Sequence, residues 1–195
     1  MKSLSEYLNE EVLPSEGLTP VVIAPGRFNP PHKGHGMMIN ELIALGKQLN
    51  AKPIVIVVDS GKYGEKNPLT GDARKQVIEK MFNGIEVHVH KNPYEAVEHI
   101  GQKHVPVGGV TGADRADSYK KMVGRIFGPD IEGKYEAKVL TRDPDAEGDI
   151  SRISATKVRE AARTSDIGTF RAMTGLEGQE AEDLMKAVKK GMGVE

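Results

Sequence analysis

Residues 20–37 read "PVVIAPGRFNPPHKGHGM". Val21, Val22, Ile23 and Ala24 form a short unbroken apolar run rich in β-branched residues, which suits a strand covered on both faces. The residues after His35 are compatible with a helix. The Gly, Arg, Asn, Pro and His between them therefore form a strand-to-helix connection, the place where α/β proteins most often carry their chemistry.

The same alternation extends outward. Strand-like runs occur at "PVVIA" (20–24), "PIVIVVD" (53–59), "IEVHVH" (85–90), "PVGGVT" (106–111) and "YEAKVLT" (135–141), each followed by a helix-compatible segment. Met38, Leu42, Leu45 and Leu49 share one helical face, as do Ala73, Val77 and Met81, and Tyr119, Met122, Val123 and Ile126. Strands alternating with helices predict an α/β fold with a doubly wound parallel five-stranded sheet, because parallel neighbours need crossovers and the crossovers cover the faces. A ligand then belongs beyond the carboxyl ends of the strands. From about residue 152 the chain reads as all-helical. Residues 1–18 read as an N-terminal appendage, with Leu4, Leu8 and Val12 at helical spacing before "LPSEGLTP" breaks the pattern.

Composition narrows the function. The formal net charge of −1 gives no drive toward nonspecific binding of nucleic acid or anionic membrane, so local charge placement must carry any recognition of anions. The absence of cysteine removes disulfides, thiolate metal sites and cysteine nucleophiles together. "MKSLSEYLNE" lacks the apolar core of a secretory signal, and no run approaches the roughly 20 apolar residues of a membrane span. The expectation is a soluble cytoplasmic protein with neither membrane nor nucleic acid as partner; whether it forms a homo-oligomer is left open.

Two loops carry candidate chemistry. In the first, Gly26 allows an unusual backbone geometry at the strand end, Pro30 and Pro31 stiffen the approach, and Gly34 lets the main chain come near a ligand. His32 and His35 are three apart at a helix start and project to a common side. The helix amino terminus favours phosphate, and two imidazoles there can donate to charge developing on a phosphoryl oxygen. A pair of surface histidines in a tight turn is the bland alternative, outweighed by the surrounding Gly-Arg-Phe and the intervening Gly. The second loop is "RISATKVREAA" (152–162). Ser154 is a candidate N-cap, while Thr156 and Arg159 share a face near the helix start, where a guanidinium can grip phosphate oxygens in pairs.

"HKGH" at 32–35 resembles the HxGH signature of the nucleotidylyltransferase superfamily, and "ISATKVR" at 153–159 resembles its ISSTxxR signature. "GRFNPPHKGH" with "NPLTGDAR" (67–74) is most similar to the nicotinamide mononucleotide adenylyltransferases. The resemblance implies a Rossmann-like nucleotidylyltransferase domain over 19–165, followed by a C-terminal helical segment over 166–195. It also implies transfer of AMP from ATP to a mononucleotide phosphate, nicotinamide mononucleotide first, with NAD formed and pyrophosphate released. His32, His35 and Arg159 would be catalytic, with Gly26, Arg27, Phe28, Gly34, Ser154 and Thr156 binding the nucleotide. Mg²⁺ would arrive with ATP; no carboxylate cluster announces a protein cage, and metal ligands stay unassigned. Ala155 departs from the signature, where a second Ser is usual, and one phosphate-binding hydroxyl is lost. Two alternatives stay open: a CTP-dependent cytidylyltransferase acting on a phosphorylated alcohol or sugar, and a nucleotide-binding or assembly protein with weak or no activity.

Further candidates are each weighed against a structural role. Arg74 would meet substrate phosphate by the same resemblance, or be a solvated helix arginine. Asp59 ends the second strand, where acidic residues also simply initiate turns. Gly112 could admit a base or ribose, with Asp114 accepting from it, although Asp114 is also a good N-cap. Lys62 and Lys66 flank a Gly-containing loop and could steer anions, with solvent exposure the default. His88 and His90 alternate on one strand face, a pattern more often surface than metal site.

Overall fold

The computed structural model describes residues 18–140 and 153–194. Among these, the strands are β1 (Thr19–Gly26), β2 (Lys52–Val58), β3 (Glu86–His90), β4 (His104–Gly112) and β5 (Glu136–Leu140). The helices are α1 (Lys33–Gln48), α2 (Gly71–Met81), α3 (Pro93–Ile100), α4 (Ala116–Phe127), α5 (Pro129–Lys134), α6 (Ala155–Arg163), α7 (Ile167–Thr174) and α8 (Gly178–Met192). The strands form one all-parallel sheet in the order β3-β2-β1-β4-β5, with helices on both sides, as the alternating pattern predicts. No described helix is long and apolar enough to cross a membrane. The expected appendage, except Leu18, and the loop "TRDPDAEGDISR" (141–152) lie outside the described residues.

The fold comprises two compact units. Of the described residues, the first holds 18–25, 38–56 and 92–140, and the second holds 26–37, 57–91 and 153–194. In the first unit, Val21, Val22, Ile23 and Ala24 are fully buried, together with Leu42, Ile54, Val55 and Ile56. β1 pairs with β4 from Thr19↔His104 to Ile23↔Gly109, with an irregularity between Val21 and Val22. α4 buries Tyr119, Met122 and Val123, the face its periodicity marks.

The second unit has its own apolar cluster. Val158, Ala161 and Ala162 of α6 pack with Phe170 of α7, with Ala181, Leu184, Met185 and Val188 of α8, and with Leu69. Ala73, Val77 and Met81 of α2 lie partly buried against it. The boundary expected at residue 165 thus falls inside a single core, because α6 is too short and too narrowly apolar to bury its inner face without α7 and α8.

α2 has a second buried face, formed by Gly71, Arg74 and Ile78. Arg74 is 2% exposed, so its charge must be matched by protein groups. Nη1 donates to the carbonyls of Arg27 (2.5 Å) and Val58 (3.0 Å), and Nε donates to that of Thr70 (3.1 Å). Nη2 lies 3.1 Å from Oδ1 of Asp59. Asp59 also accepts the N–H of Gly61 (3.1 Å), the Tyr63 hydroxyl (2.9 Å) and the N–H of Gly71 (2.5 Å). Burial alone would raise the Asp59 carboxyl, but these donors and the Arg74 charge together hold it below its ordinary value. Burial lowers Arg74, an effect that Asp59 opposes. The ion pair ties the end of β2 to the first residues of the β1–α1 connection.

Two outcomes are expected. Phe170→Ala should lower unfolding stability by about 3–5 kcal/mol in urea titration, since a fully buried ring at the meeting of α6, α7 and α8 leaves a cavity. Asp59→Asn should cost about 3 kcal/mol at pH 7 by leaving a buried guanidinium underpaired. Because the Asp59 pKa is depressed in the folded state, its contribution is complete above the unfolded value and is lost as pH falls through the lower folded one. The advantage of wild type over Asp59→Asn should therefore shrink below about pH 4 in paired urea titrations.

Candidate functional site

The site is built within the second unit, where the β1–α1 connection, the loop before α2 and the start of α6 meet around a cavity of about 490 Å³. That volume lies within the range of small-molecule pockets. Phe28 stands at φ 50°, a left-handed conformation that few bulky residues adopt. In that turn its ring folds back onto Gly26, where an added Cβ would meet the ring at 2.8 Å. Gly26 is therefore needed for close approach, not for an unusual φ of its own. The Asn29–Pro30 peptide is cis. The Asn29 side chain locks onto the main chain of Leu69, donating to its carbonyl (3.0 Å) and accepting its N–H (3.1 Å).

His32 caps α1 with both main chain and ring. Its carbonyl accepts from the N–H of His35 (2.8 Å) and Gly36 (3.1 Å), and its Nδ1 accepts the N–H of Gly34 at 3.1 Å. An accepting Nδ1 places the proton of the neutral ring on Nε2. Gly34 is small because a Cβ would press on the His32 ring at 3.0 Å and on the Ile153 carbonyl at 3.3 Å, so the close approach it permits is to the protein itself. The two imidazoles share a side, as their spacing predicts, with centroids 3.7 Å apart and planes tilted by 30°. They are not equivalent. His35 lines the cavity with the Phe28 ring 4.9 Å behind it, whereas His32 is 1% exposed and is not among the lining residues.

Ser154 is the N-cap of α6, its hydroxyl accepting the Lys157 N–H at 3.3 Å. Thr156 and Arg159 face the cavity and each other, with Nη2 of Arg159 donating to the Thr156 hydroxyl at 3.1 Å. Nη1 of Arg159 donates to the Asn29 carbonyl at 2.9 Å, which joins the two loops that lie 130 residues apart. Burial lowers the Arg159 pKa, Glu65 raises it, and Arg27 and Arg163 lower it further. Ala155 contributes a methyl group to the wall where the related signature has a hydroxyl.

Most of the remaining candidates do not line the cavity. Arg74 and Asp59 have their polar atoms engaged with each other and with protein groups, and neither lines the cavity. Asp114 is not an N-cap: Arg115 holds that position in α4 without a side-chain bond, and the Asp114 carboxylate pairs with Arg115 at 3.3 Å. Gly112 and Asp114 belong to the first unit and do not line the cavity. His88 and His90 stack 6.1 Å apart on the β3 face, with His88 2.6 Å from Glu86. Among the described residues no group of three or more His, Asp or Glu could hold a metal.

The cavity also contains residues that sequence reasoning passed over: Asn29, Glu65, Asn67, Glu160 and Arg163. Arg163 was findable, since it follows Arg159 by one helical turn. Lys66 lines the wall as well, and Lys62 does not. Four cationic side chains, Arg27, Lys66, Arg159 and Arg163, thus face two carboxylates, Glu65 and Glu160. The field favours a multiply charged anion.

Two solved structures are similar. One is described as Plasmodium falciparum nicotinic acid mononucleotide adenylyltransferase complexed with NaAD. It is 14% identical with a TM-score of 0.52, and the match covers 88% of this chain and 95% of that one. The other is described as a macrolide-efflux protein from Streptococcus pneumoniae. It is 16% identical with a TM-score of 0.50, and the match covers 83% of this chain and spans 66% of the other's length. At such identities both show a shared fold alone. Among curated proteins nothing matches the sequence. The family model described as cytidylyltransferase-like matches residues 23–161, a span that begins in β1, includes His32 and His35, and ends after Arg159. With its two signature loops brought together at one cavity lined by four cationic side chains, the chain belongs to the cytidylyltransferase-like family, and with it to the nucleotidyltransferases.

Proposed function

We propose that this chain transfers AMP from ATP to the phosphate of a mononucleotide, with nicotinamide mononucleotide as the first acceptor, giving NAD and pyrophosphate. The observation that carries the reading is the convergence of His35 with Thr156 and Arg159 on one cavity at the start of α6. An oxygen of the acceptor phosphate forms a bond to the α-phosphorus. The bond from that phosphorus to the α,β-bridging oxygen breaks, its electron pair leaving with pyrophosphate, and no proton need move at the reacting atoms. The protein therefore acts by positioning and by stabilising charge.

In this reading His35 donates a hydrogen bond to a phosphoryl oxygen on which charge builds. His32 holds the start of α1 in register and supports the His35 ring by stacking. Arg159 and Thr156, with the amino terminus of α6, receive the departing phosphates. Arg27 adds an exposed cation at the mouth. Mg²⁺ would arrive with the triphosphate substrate, and the described residues offer no three-ligand cage for it. A cytoplasmic location and a place in NAD biosynthesis belong to the same reading. The likeness to an adenylyltransferase fold supports it, as does "NPLTGDAR", in which Leu69 anchors Asn29 and Arg74 anchors the Arg27 carbonyl.

The test is pyrophosphate release with product identification, using ATP or CTP against nicotinamide mononucleotide and phosphorylated alcohols or sugars. Dinucleotide should form with ATP, and His35→Ala should reduce kcat by roughly a hundredfold to a thousandfold, the scale for losing one donor to a developing phosphoryl charge. Turnover confined to CTP would replace the adenylyl reading with the cytidylyl one. Nucleotide binding without turnover across the panel would leave a binding or assembly role.

A further inference from the structure

Arg163 lies one turn beyond Arg159 on α6 and lines the same cavity, outside the signature that ends at Arg159. Two carboxylates hold its guanidinium. Nε lies 3.3 Å from Glu160, and Nη2 is paired with Glu65. The two contacts differ in kind. Glu160 sits three residues earlier on the same helix, so helix geometry keeps its backbone beside Arg163. Glu65 comes from the loop before α2, 98 residues away in sequence, and itself lines the cavity wall. The pair is exposed, Arg163 to 38% and Glu65 to 65%, so both ions keep much of their hydration and little holds them together.

Glu65 meets the guanidinium through one oxygen on Nη2, the place a single phosphate oxygen would take. Glu65 also acts on Arg159, raising its pKa, while Arg27 and Arg163 lower it, so these four charged groups share one field. A polyphosphate chain gripped at one end by Thr156 and Arg159 would next meet Arg163 along the helix, where Glu65 now sits. Its greater charge competes with that single carboxylate.

We infer that Arg163 is a further polyphosphate-binding residue of this cavity, and that Glu65 occupies its guanidinium as an internal anion which the terminal phosphate of a nucleoside triphosphate displaces. The inference rests on the nucleotidyl-transfer reading and deepens it, since it gives the cavity a means of preferring triphosphate over shorter chains. A merely structural ion pair makes a different prediction: removing either partner breaks the same contact and shifts binding in the same direction.

The experiment is calorimetric titration of the full chain with inorganic tripolyphosphate at low salt, for wild type, Arg163→Ala, Arg163→Lys, Glu65→Gln and Arg159→Ala, with circular dichroism to verify folding. Arg163→Ala should weaken binding roughly tenfold, the scale of a lost charge-assisted bond, and Arg163→Lys should recover part of that loss. Glu65→Gln should tighten binding by roughly threefold, because the competing charge is gone and the displaced pair was weak. In turnover, KM for the triphosphate should follow the same signs and move more than kcat. If Arg163→Ala and Glu65→Gln shift affinity together, or leave it unchanged while Arg159→Ala weakens it, this inference fails and nucleotidyl transfer stands. A wild-type protein that neither binds tripolyphosphate nor turns over any triphosphate overturns both.

Discussion

A single buried cation organises the second unit. The Arg74 guanidinium cannot be solvated, so it must be surrounded by acceptors, and the chain supplies them from separate segments: the Arg27 and Val58 carbonyls, the Thr70 carbonyl and the Asp59 carboxylate. That requirement determines how the chain leaves β1. With the Arg27 carbonyl turned toward α2, the next residue takes a left-handed conformation and its ring lies over Gly26 and behind His35. The strain of a bulky residue at φ 50° persists because neighbouring contacts over-determine it. The imidazole that faces the cavity is thus linked, through Phe28 and the Arg27 carbonyl, to a charge buried on another helix.

A second dependence is apolar. Arg159 and Thr156 stand where they do because Val158, Ala161 and Ala162 on the opposite side of α6 are buried against α7 and α8. A nine-residue helix has little stability of its own, and tertiary packing supplies the rest. The last helices therefore support the cavity wall from behind α6, although none of their residues lines it and no motif marks them. The Arg159 bond to the Asn29 carbonyl and the Asn29 amide on Leu69 complete the connection, so the polar cradle and the apolar cluster settle together.

Within the cavity, carboxylates and guanidiniums are interleaved. Three arginines and a lysine around one cavity would repel one another, and Glu65 and Glu160 moderate that repulsion. The Arg163 guanidinium is held by exposed ion pairs, whereas that of Arg159 is anchored to the Asn29 carbonyl. The two adjoining histidines differ in surroundings: the ring of His32 accepts the Gly34 N–H at the helix start and that of His35 faces the cavity.

The α/β alternation, the parallel sheet and the two signature loops were legible in the sequence, because hydrophobic periodicity and the Gly, Pro and His spacing are local properties of the chain. The apolar runs at 20–24 and 53–59 became β1 and β2, and the faces of α1 and α4 were buried as their spacing indicates. Ser154 was readable as an N-cap for the same reason, since a cap is made with residues three positions away. What the sequence could not show was the partner of each charge. Arg74 carries the same letter whether it meets a phosphate or lies at 2% exposure against Asp59, and only the path of distant segments decides between them. The inequality of His32 and His35, the membership of Arg163 and Glu65 in the cavity, and the continuity of α6 with α7 and α8 likewise depend on contacts between residues far apart in sequence. Local pattern determined the elements and where chemistry would gather; burial and long-range pairing, which set the energy of every charge, decided which side chains face the cavity.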